Sequence, residues 1–255
     1  MTIKYKQVAI QAAKIAGEIL MKNYSKTLAI NFKNKTYDSS SFVTEADIVS
    51  EQAIIKILKT KFPDFGIYGE ESQGSNMGAD YIWYIDPLDG TGNFIRHIPL
   101  FGVSIGLVHL GQPILGILYF PALNILVSAE EGKGCFANDV LVKVSKRSLS
   151  ECLYYAGGKF KNQTQLNSDI AQACGLVKII DSSSYELAQI AMGDAEIYYL
   201  ASVPHDVVAG VCIIREAGGI VTDGQGNPWQ LDSKMIIASN KECHREVLGK
   251  LKGVL

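Results

Sequence analysis

The segment Trp83–Phe94 reads WYIDPLDGTGNF, an apolar run that ends on two aspartates and then turns on Gly90, Thr91 and Gly92. The run has the character of a buried strand. Asp86 and Asp89, three positions apart at its end, repel each other unless a cation or a proton lies between them. Asp-Pro and Asp-Gly are also ordinary turn dipeptides, so the segment alone leaves a plain turn open.

Other carboxylates stand at comparable places. IYGEES puts Glu70 and Glu71 directly after an apolar, strand-like stretch, and PHDVVAGVCIIREAGG puts Asp206 at the opening of an apolar helix. Each has a structural alternative. Glu70 reads equally as a solvated loop acid, and Asp206 as a helix N-cap. Thr44-x-x-Asp47 has the spacing of a capping box, which by itself explains Asp47. Acids at the ends of apolar elements in several separate segments nonetheless mark the places where folds put functional loops.

A carboxylate set without a histidine or cysteine cluster favours a hard cation, Mg²⁺ first, held by oxygen ligands at about 2.0–2.1 Å. Magnesium in turn implies phosphate. The glycines at 90 and 92 let backbone amides approach an anion, and a helix starting there aims its positive end at the phosphate. The Thr91 hydroxyl either orients a water or caps that helix.

Composition sets the frame. The chain has 255 residues, 47% hydrophobic and 20% charged, with a mean hydropathy of +0.12, enough to bury a large core in one domain or two joined ones. A net charge of -2 and a pI near 6.1 give no basic field, which argues against nucleic acid and anionic membranes as partners. The five cysteines (Cys135, Cys152, Cys174, Cys212, Cys243) form no CxxC pair and read as small core residues of a cytoplasmic protein. Apolar runs such as ILGILYFPAL are broken by glycine or proline and fall short of the ~20 residues that span a bilayer. The first segment, with Gln11, Lys14 and Glu18 among its apolar positions, reads as a helix and not as a signal peptide.

Along the chain, Val8, Ala12, Ile15 and Ile19 fall on one helical face. VTEADIVSEQAIIKILKTKF supplies a second helix that begins after Thr44 and turns Ile48, Ile55 and Leu58 inward. LAINFKNKTYDSSS between them reads as a short strand and a polar loop. From Phe101 the period becomes two, and HLGQP and PALN separate the strands of an antiparallel meander. After about Gly134, strands and helices alternate. The chain therefore divides into residues 1–133, helices on an antiparallel sheet carrying the metal site, and residues 134–255, an α/β half that closes it.

GEES, WYIDPLDGTGNF and PHDVVAGVCIIREAGGIVTD, in this order and at these separations, resemble the inositol monophosphatase family of Mg²⁺-dependent, lithium-sensitive phosphatases. The resemblance runs from FVTEAD to MIIASN. The haloacid dehalogenase superfamily, with its Asp-x-Asp-Gly-Thr motif, is the rival, but its acids are two apart and near the N-terminus. The resemblance implies an α/β protein with the alternating α-β-α-β-α layers of the sugar-phosphatase fold. It implies that Glu70, Asp86 and the Leu88 carbonyl bind one magnesium, and that Asp86 bridges to a second shared with Asp89 and Asp206. Thr91, supported by Asp47, would activate the attacking water. Amides around Gly90, Thr91 and Gly92 would hold the phosphate, and Glu71 would help bind a looser third ion. A small phosphorylated substrate, two or three Mg²⁺ ions, direct attack by water and a homodimer complete the expectation.

The chain departs from the family pattern in two places. The family usually has tryptophan before the second-half aspartate, whereas here Pro204-His205-Asp206 stands, and His205 either packs as an aromatic replacement or touches substrate. Inositol-preferring members generally carry a glutamate shortly before that aspartate, where this chain has Leu200. Loss of a carboxylate that pairs with hydroxyls bears directly on selectivity. Inositol 1-phosphate, histidinol phosphate, fructose 1,6-bisphosphate and 3'-phosphoadenosine 5'-phosphate all remain in play. Ser182 and Ser183, with Ser184, line the substrate side or cap a helix. A different class, a regulatory protein that binds transcription machinery, is the competing function.

Overall fold

The computed structural model describes residues 5–26, 31–32, 42–72, 74–156, 164–201 and 203–251. The polar loop expected at 33–41 lies outside them. Helix α1 (Tyr5–Tyr24) buries Ala9, Ala12, Ala13, Ala16, Gly17 and Leu20. Its larger residues Val8, Ile15 and Ile19, expected on that face, flank it and are only partly buried. Small residues let the helix lie close to the sheet: a Cβ on Gly17 would sit 2.5 Å from the Tyr119 ring. A two-residue pair, β1 (Asn31–Phe32) with β2 (Phe42–Val43), precedes α2 (Glu45–Lys61).

Helix α2 corrects one expectation. Ile48 is 44% exposed, and the buried face is instead Ala46, Asp47, Ser50, Glu51, Ile54 and Leu58. Two acids and a serine on a buried face are costly unless hydrogen-bonded; Asp47 and Glu51 have partners at the site described below, whereas the Ser50 hydroxyl has none among the described residues.

The first sheet has seven strands in the order of the chain: β3 (Gly66–Gly69), β4 (Tyr81–Asp89), β5 (Gly102–His109), β6 (Gln112–Phe120), β7 (Ile125–Glu130), β8 (Cys135–Ala137) and β9 (Val140–Val142). It thus continues past residue 133. All neighbours are antiparallel except β3 and β4, which pair in parallel. The expected antiparallel sheet is therefore mixed at one edge. The exception has a consequence for the site, because parallel pairing lays the ends that carry Glu70 and Asp86 side by side. The short helix α3 (Thr91–Phe94) follows β4.

The second sheet contains β10 (Leu153–Ala156), β11 (Leu176–Lys178), β12 (Ile197–Ala201), β13 (Ile220–Thr222) and β14 (Met235–Ser239), in the order β11-β10-β12-β14-β13. Its helices are α4 (Thr164–Ala173), α5 (Ser183–Ala191), α6 (Pro204–Glu216) and α7 (Lys241–Leu251). Three apolar clusters define five layers. Helices α1 and α2 cover one face of the first sheet, α5 and α6 fill the space between the two sheets, and α4 and α7 cover the second sheet from outside. This is the expected α-β-α-β-α layering.

Helix α6 comes unusually close to the first sheet. A Cβ on Gly106 would fall 2.5 Å from Val208 Cγ1, and one on Gly116 would overlap the Ala209 backbone. Gly106 and Gly116 are both buried. They form the bed on which α6 lies, and the helix N-terminus is fixed near the end of β4. Among the described residues no helix is long and apolar enough to cross a membrane.

Candidate active site

Strand β4 alternates: Trp83 and Ile85 face α1 and α2, while Tyr84 faces α6. Asp86 shares the Tyr84 face, and Pro87 then interrupts the ladder, so that the register with β5 shifts between Asp86 and Asp89. The Glu70 amide donates to the Ile85 carbonyl at 3.1 Å, which places the end of β3 beside Asp86. Asp206 enters from the other half of the chain, in the first turn of α6, behind Pro204 at the first helical position.

Asp86 is 3% exposed. Burial first, then the charges of Glu70, Asp89 and Asp206 and a side-chain hydrogen bond with Glu70, hold its carboxyl well above the usual range. Burial also pushes Asp89 up, to about 6, although Ser182 and Ser184 pull the other way by hydrogen bonding. The sequence-predicted acids from three remote segments therefore act on one another in space. One Asp86 oxygen accepts from the Leu88 amide at 3.0 Å.

Asp89 is held by a bracket of donors at the start of α5. It accepts from Ser182 Oγ at 2.6 Å, Ser183 N at 3.1 Å, Ser184 N at 2.7 Å and Ser184 Oγ at 2.5 Å. Ser182 occupies the N-cap position of α5, yet its side chain makes no cap bond and serves Asp89 instead. Ser183 Oγ accepts from Tyr198 at 2.8 Å. The serines offered as substrate contacts are thus engaged inside the protein. His205 stacks on Tyr68 and places Nε2 3.0 Å from Asp206 Oδ1.

Asp47 caps α2 and also reaches Thr91. Its Oδ2 accepts from the Thr44 amide at 2.8 Å and the Thr44 hydroxyl at 2.6 Å, completing the capping box. Its Oδ1 lies 3.2 Å from Thr91 Oγ1, which also approaches the Leu88 carbonyl at 3.0 Å. Gly90 turns with φ 84°, and a Cβ there would lie 2.9 Å from the Leu100 carbonyl oxygen, so the turn excludes a side chain twice over. Asn93 and Phe94 donate their amides to the Gly90 carbonyl, while the amides of Thr91 and Gly92 precede that ladder in the first turn of α3.

Several supporting residues escaped the sequence reading. Glu51, one helical turn after Asp47 on the buried face of α2, accepts from the Glu71 amide at 2.9 Å and packs against Gly69. The i, i+4 spacing from Asp47 was the available signal. Asn93 ties the turn to the segment before α5, donating to the carbonyls of Leu100 and Ile180, both at 2.8 Å. Glu186, buried and pushed well above the usual range by that burial, accepts from the Ile180 amide at 3.2 Å. Nothing in their local sequence points to these last two roles.

The donor chemistry fits a hard cation. Carboxylates of Glu70, Asp86, Asp89 and Asp206 and the Leu88 carbonyl are oxygen ligands only, and the groups acting most strongly on buried Asp86 are other acids. Among the described residues no three acidic, histidine or cysteine side chains close into a cage. Asp89 and Asp206 are turned to protein partners, from which an ion would have to draw them.

Fold and site together define a layered α/β phosphatase, a phosphoric monoester hydrolase. A model of the inositol monophosphatase family matches residues 3–254. The chain is 33% identical over 257 residues to Nus factor SuhB of Pasteurella multocida, covering 97% of this chain and 96% of that one. It is 32% identical over 256 residues to a fructose-1,6-bisphosphatase/inositol-1-monophosphatase of Aquifex aeolicus, covering 96% and 94%. The crystal structure of extragenic suppressor protein SuhB from Bartonella henselae superposes with a TM-score of 0.91 at 30% identity, covering 98% of each chain. The chain belongs to the inositol monophosphatase family.

Proposed function

We propose that this protein is a Mg²⁺-dependent, lithium-sensitive phosphomonoesterase that hydrolyses a small phosphorylated metabolite by direct attack of water. The observation that carries the reading is Asp86, buried among Glu70, Asp89 and Asp206, an arrangement that like charges disfavour in the absence of a cation. Glu70, Asp86, Leu88, Asp89 and Asp206 would hold two ions, with Glu71 at a third. Bound there, magnesium supplies charge neutralisation on the phosphate and a lowered pKa for a coordinated water.

The remaining chemistry belongs to the chain. Thr91 donates to Asp47, which leaves the hydroxyl lone pairs to accept from the attacking water and aim it in line with the phosphorus–oxygen bond that breaks. Asp47 stays fixed because Thr44 occupies its second oxygen. The Thr91–Asp47 pair takes up the proton that the water loses. Amides of Gly90, Thr91 and Gly92 orient the phosphate oxygens. No covalent phosphoenzyme forms, since the acids are committed to holding cations.

The substrate class is inositol-1-phosphate-like, with fructose 1,6-bisphosphate, histidinol phosphate and 3'-phosphoadenosine 5'-phosphate as alternatives. The name of the Aquifex relative supports the first two sugars and polyols on that list. Phosphate release from this panel, with and without EDTA and lithium, is the test. Turnover that is lost with EDTA supports the reading, and no turnover of any ester at any Mg²⁺ level refutes it. Similarity to proteins called Nus factor SuhB favours a second role alongside transcription machinery, which co-purification with RNA polymerase would establish. We also assign the protein to the cytoplasm, which its five free thiols fit, and to a homodimer, which sedimentation measures.

A further inference from the structure

Three of the acids follow closely on an aromatic ring in the chain: Glu70 on Tyr68, Asp86 on Tyr84, and Asp206 on His205. Residues i and i+2 of a strand share a face, so Tyr84 lies directly behind Asp86, and Tyr68 behind the position that continues β3 into Glu70. The structure brings the three rings together. Tyr68 and Tyr84 are register partners in the parallel pair, with centroids 5.3 Å apart at 36°. Tyr68 also stacks on His205, with centroids 5.9 Å apart at 25°. His205 Nε2 then reaches Asp206 Oδ1 at 3.0 Å.

The backbone explains only part of this arrangement. The ladder between β3 and β4 fixes Glu70 against Asp86, but no ladder joins either strand to α6. The body of α6 is seated by Val208 and Ala209 on the glycines of the first sheet, one helical turn or less from the residue that must meet the other acids. The ring stack spans that gap. Tyr84 is buried and Tyr68 half-buried, so the stack is shielded enough for its geometry to be defined.

We infer that Tyr68 is a positioning residue, the middle ring of a Tyr84–Tyr68–His205 stack that sets the spacing between the Glu70–Asp86 pair and Asp206 and so tunes the affinity for divalent cations. This rests on the metal-dependent reading above. A ring that only filled space would, when removed, lower stability and leave ion affinity alone.

The test titrates Mg²⁺ alone into the full chain, read by calorimetry and by the Mg²⁺-induced rise in melting temperature. Tyr68→Leu raises the Mg²⁺ dissociation constant about tenfold, as loss of a residue that orients metal ligands does. Tyr68→Phe, which keeps the ring, stays within about twofold of the wild type, and Tyr68→Leu with His205→Leu is no weaker than the worse single variant, because the two act as one unit. Folded Tyr68→Leu that binds like the wild type, or losses that multiply in the double variant, overturn the inference. Should Tyr68→Leu fail to fold, His205→Leu carries the test, and unchanged Mg²⁺ affinity there is equally fatal. Wild-type protein that binds no Mg²⁺ overturns the metal reading and this inference together, whereas wild-type binding with unaffected variants overturns this inference alone.

Discussion

Two buried carboxylates, Glu196 and Asp86, sit in this molecule under opposite conditions. Glu196, 1% exposed before β12, accepts from Arg147 Nη1 and Ser145 Oγ, each at 2.7 Å, and from the Leu153 amide at 2.6 Å. A cation and two neutral donors compensate its burial, and the result is a strut that ties β10 to the segment at residues 145–147. Asp86 is as deeply placed, but the charged groups acting on it are acids, and among the described residues the Leu88 amide is the backbone donor to its carboxylate. Burial of an acid is therefore no mark of function. What separates the two is whether the protein itself supplies the balancing charge.

Substitutions that break this contrast have the largest effects. Asp86→Asn removes the charge proposed to hold cations and lowers phosphate release by at least about 10³-fold, while the circular-dichroism spectrum is unchanged. Near-normal turnover at saturating Mg²⁺ would remove Asp86 from the site. At the other pole, Glu196→Ala leaves the Leu153 amide and Ser145 without their acceptor and costs about 2–4 kcal/mol in urea denaturation. Turnover per folded molecule stays as it was, and a selective loss of kcat would show that the strut also serves the site.

Proton linkage sharpens the comparison further. The folded-state values of Asp89, about 6, and of Asp86, well above the usual range, lie above the unfolded value of 3.8. Their contribution to stability is complete below that value and is lost as pH rises through 6 and beyond. Metal-free protein therefore gains stability from pH 7 to pH 5, with Asp89 contributing on the order of 3 kcal/mol across the full range. Melting curves with EDTA measure this, and Mg²⁺ flattens the dependence. A metal-free protein that is most stable at pH 8 would contradict the environment described for both acids. The smallest effect belongs to Ser184→Ala. It removes a donor that lowers the Asp89 pKa, so the midpoint of the pH dependence moves to higher pH, with a cost of about 1 kcal/mol at neutral pH.

Element by element, the sequence was most legible where a signal is local. Helix α2 starts where Thr44 and Asp47 placed its cap, and the meander strands lie where the period of two placed them. Its inward face was misjudged, since Ile48 faces out while Asp47 and Glu51 face in. Hydrophobic periodicity assumes that a buried face is apolar, and a helix that supports a polar site violates that assumption. The parallel pairing of β3 with β4 was also missed, because pairing sense leaves no trace in the pattern of either strand. At the site, the acids were legible as types at element ends. The serine bracket on Asp89, the Asn93 clasp to Ile180 and the Tyr68 stack were not.

By itself the sequence determined the class of fold and the family and marked the candidate acids, since those depend on residue type, short spacing and order along the chain. Only tertiary structure decided that Glu70 and Asp86 lie abreast, that Asp206 arrives beside them on the first turn of α6, and that Ser182–Ser184 close on Asp89. The physical reason is reach. Periodicity and capping act within a few residues, whereas contacts between positions a hundred apart are set by strand pairing and by the close seating of α6 on Gly106 and Gly116, which depend on the whole chain at once.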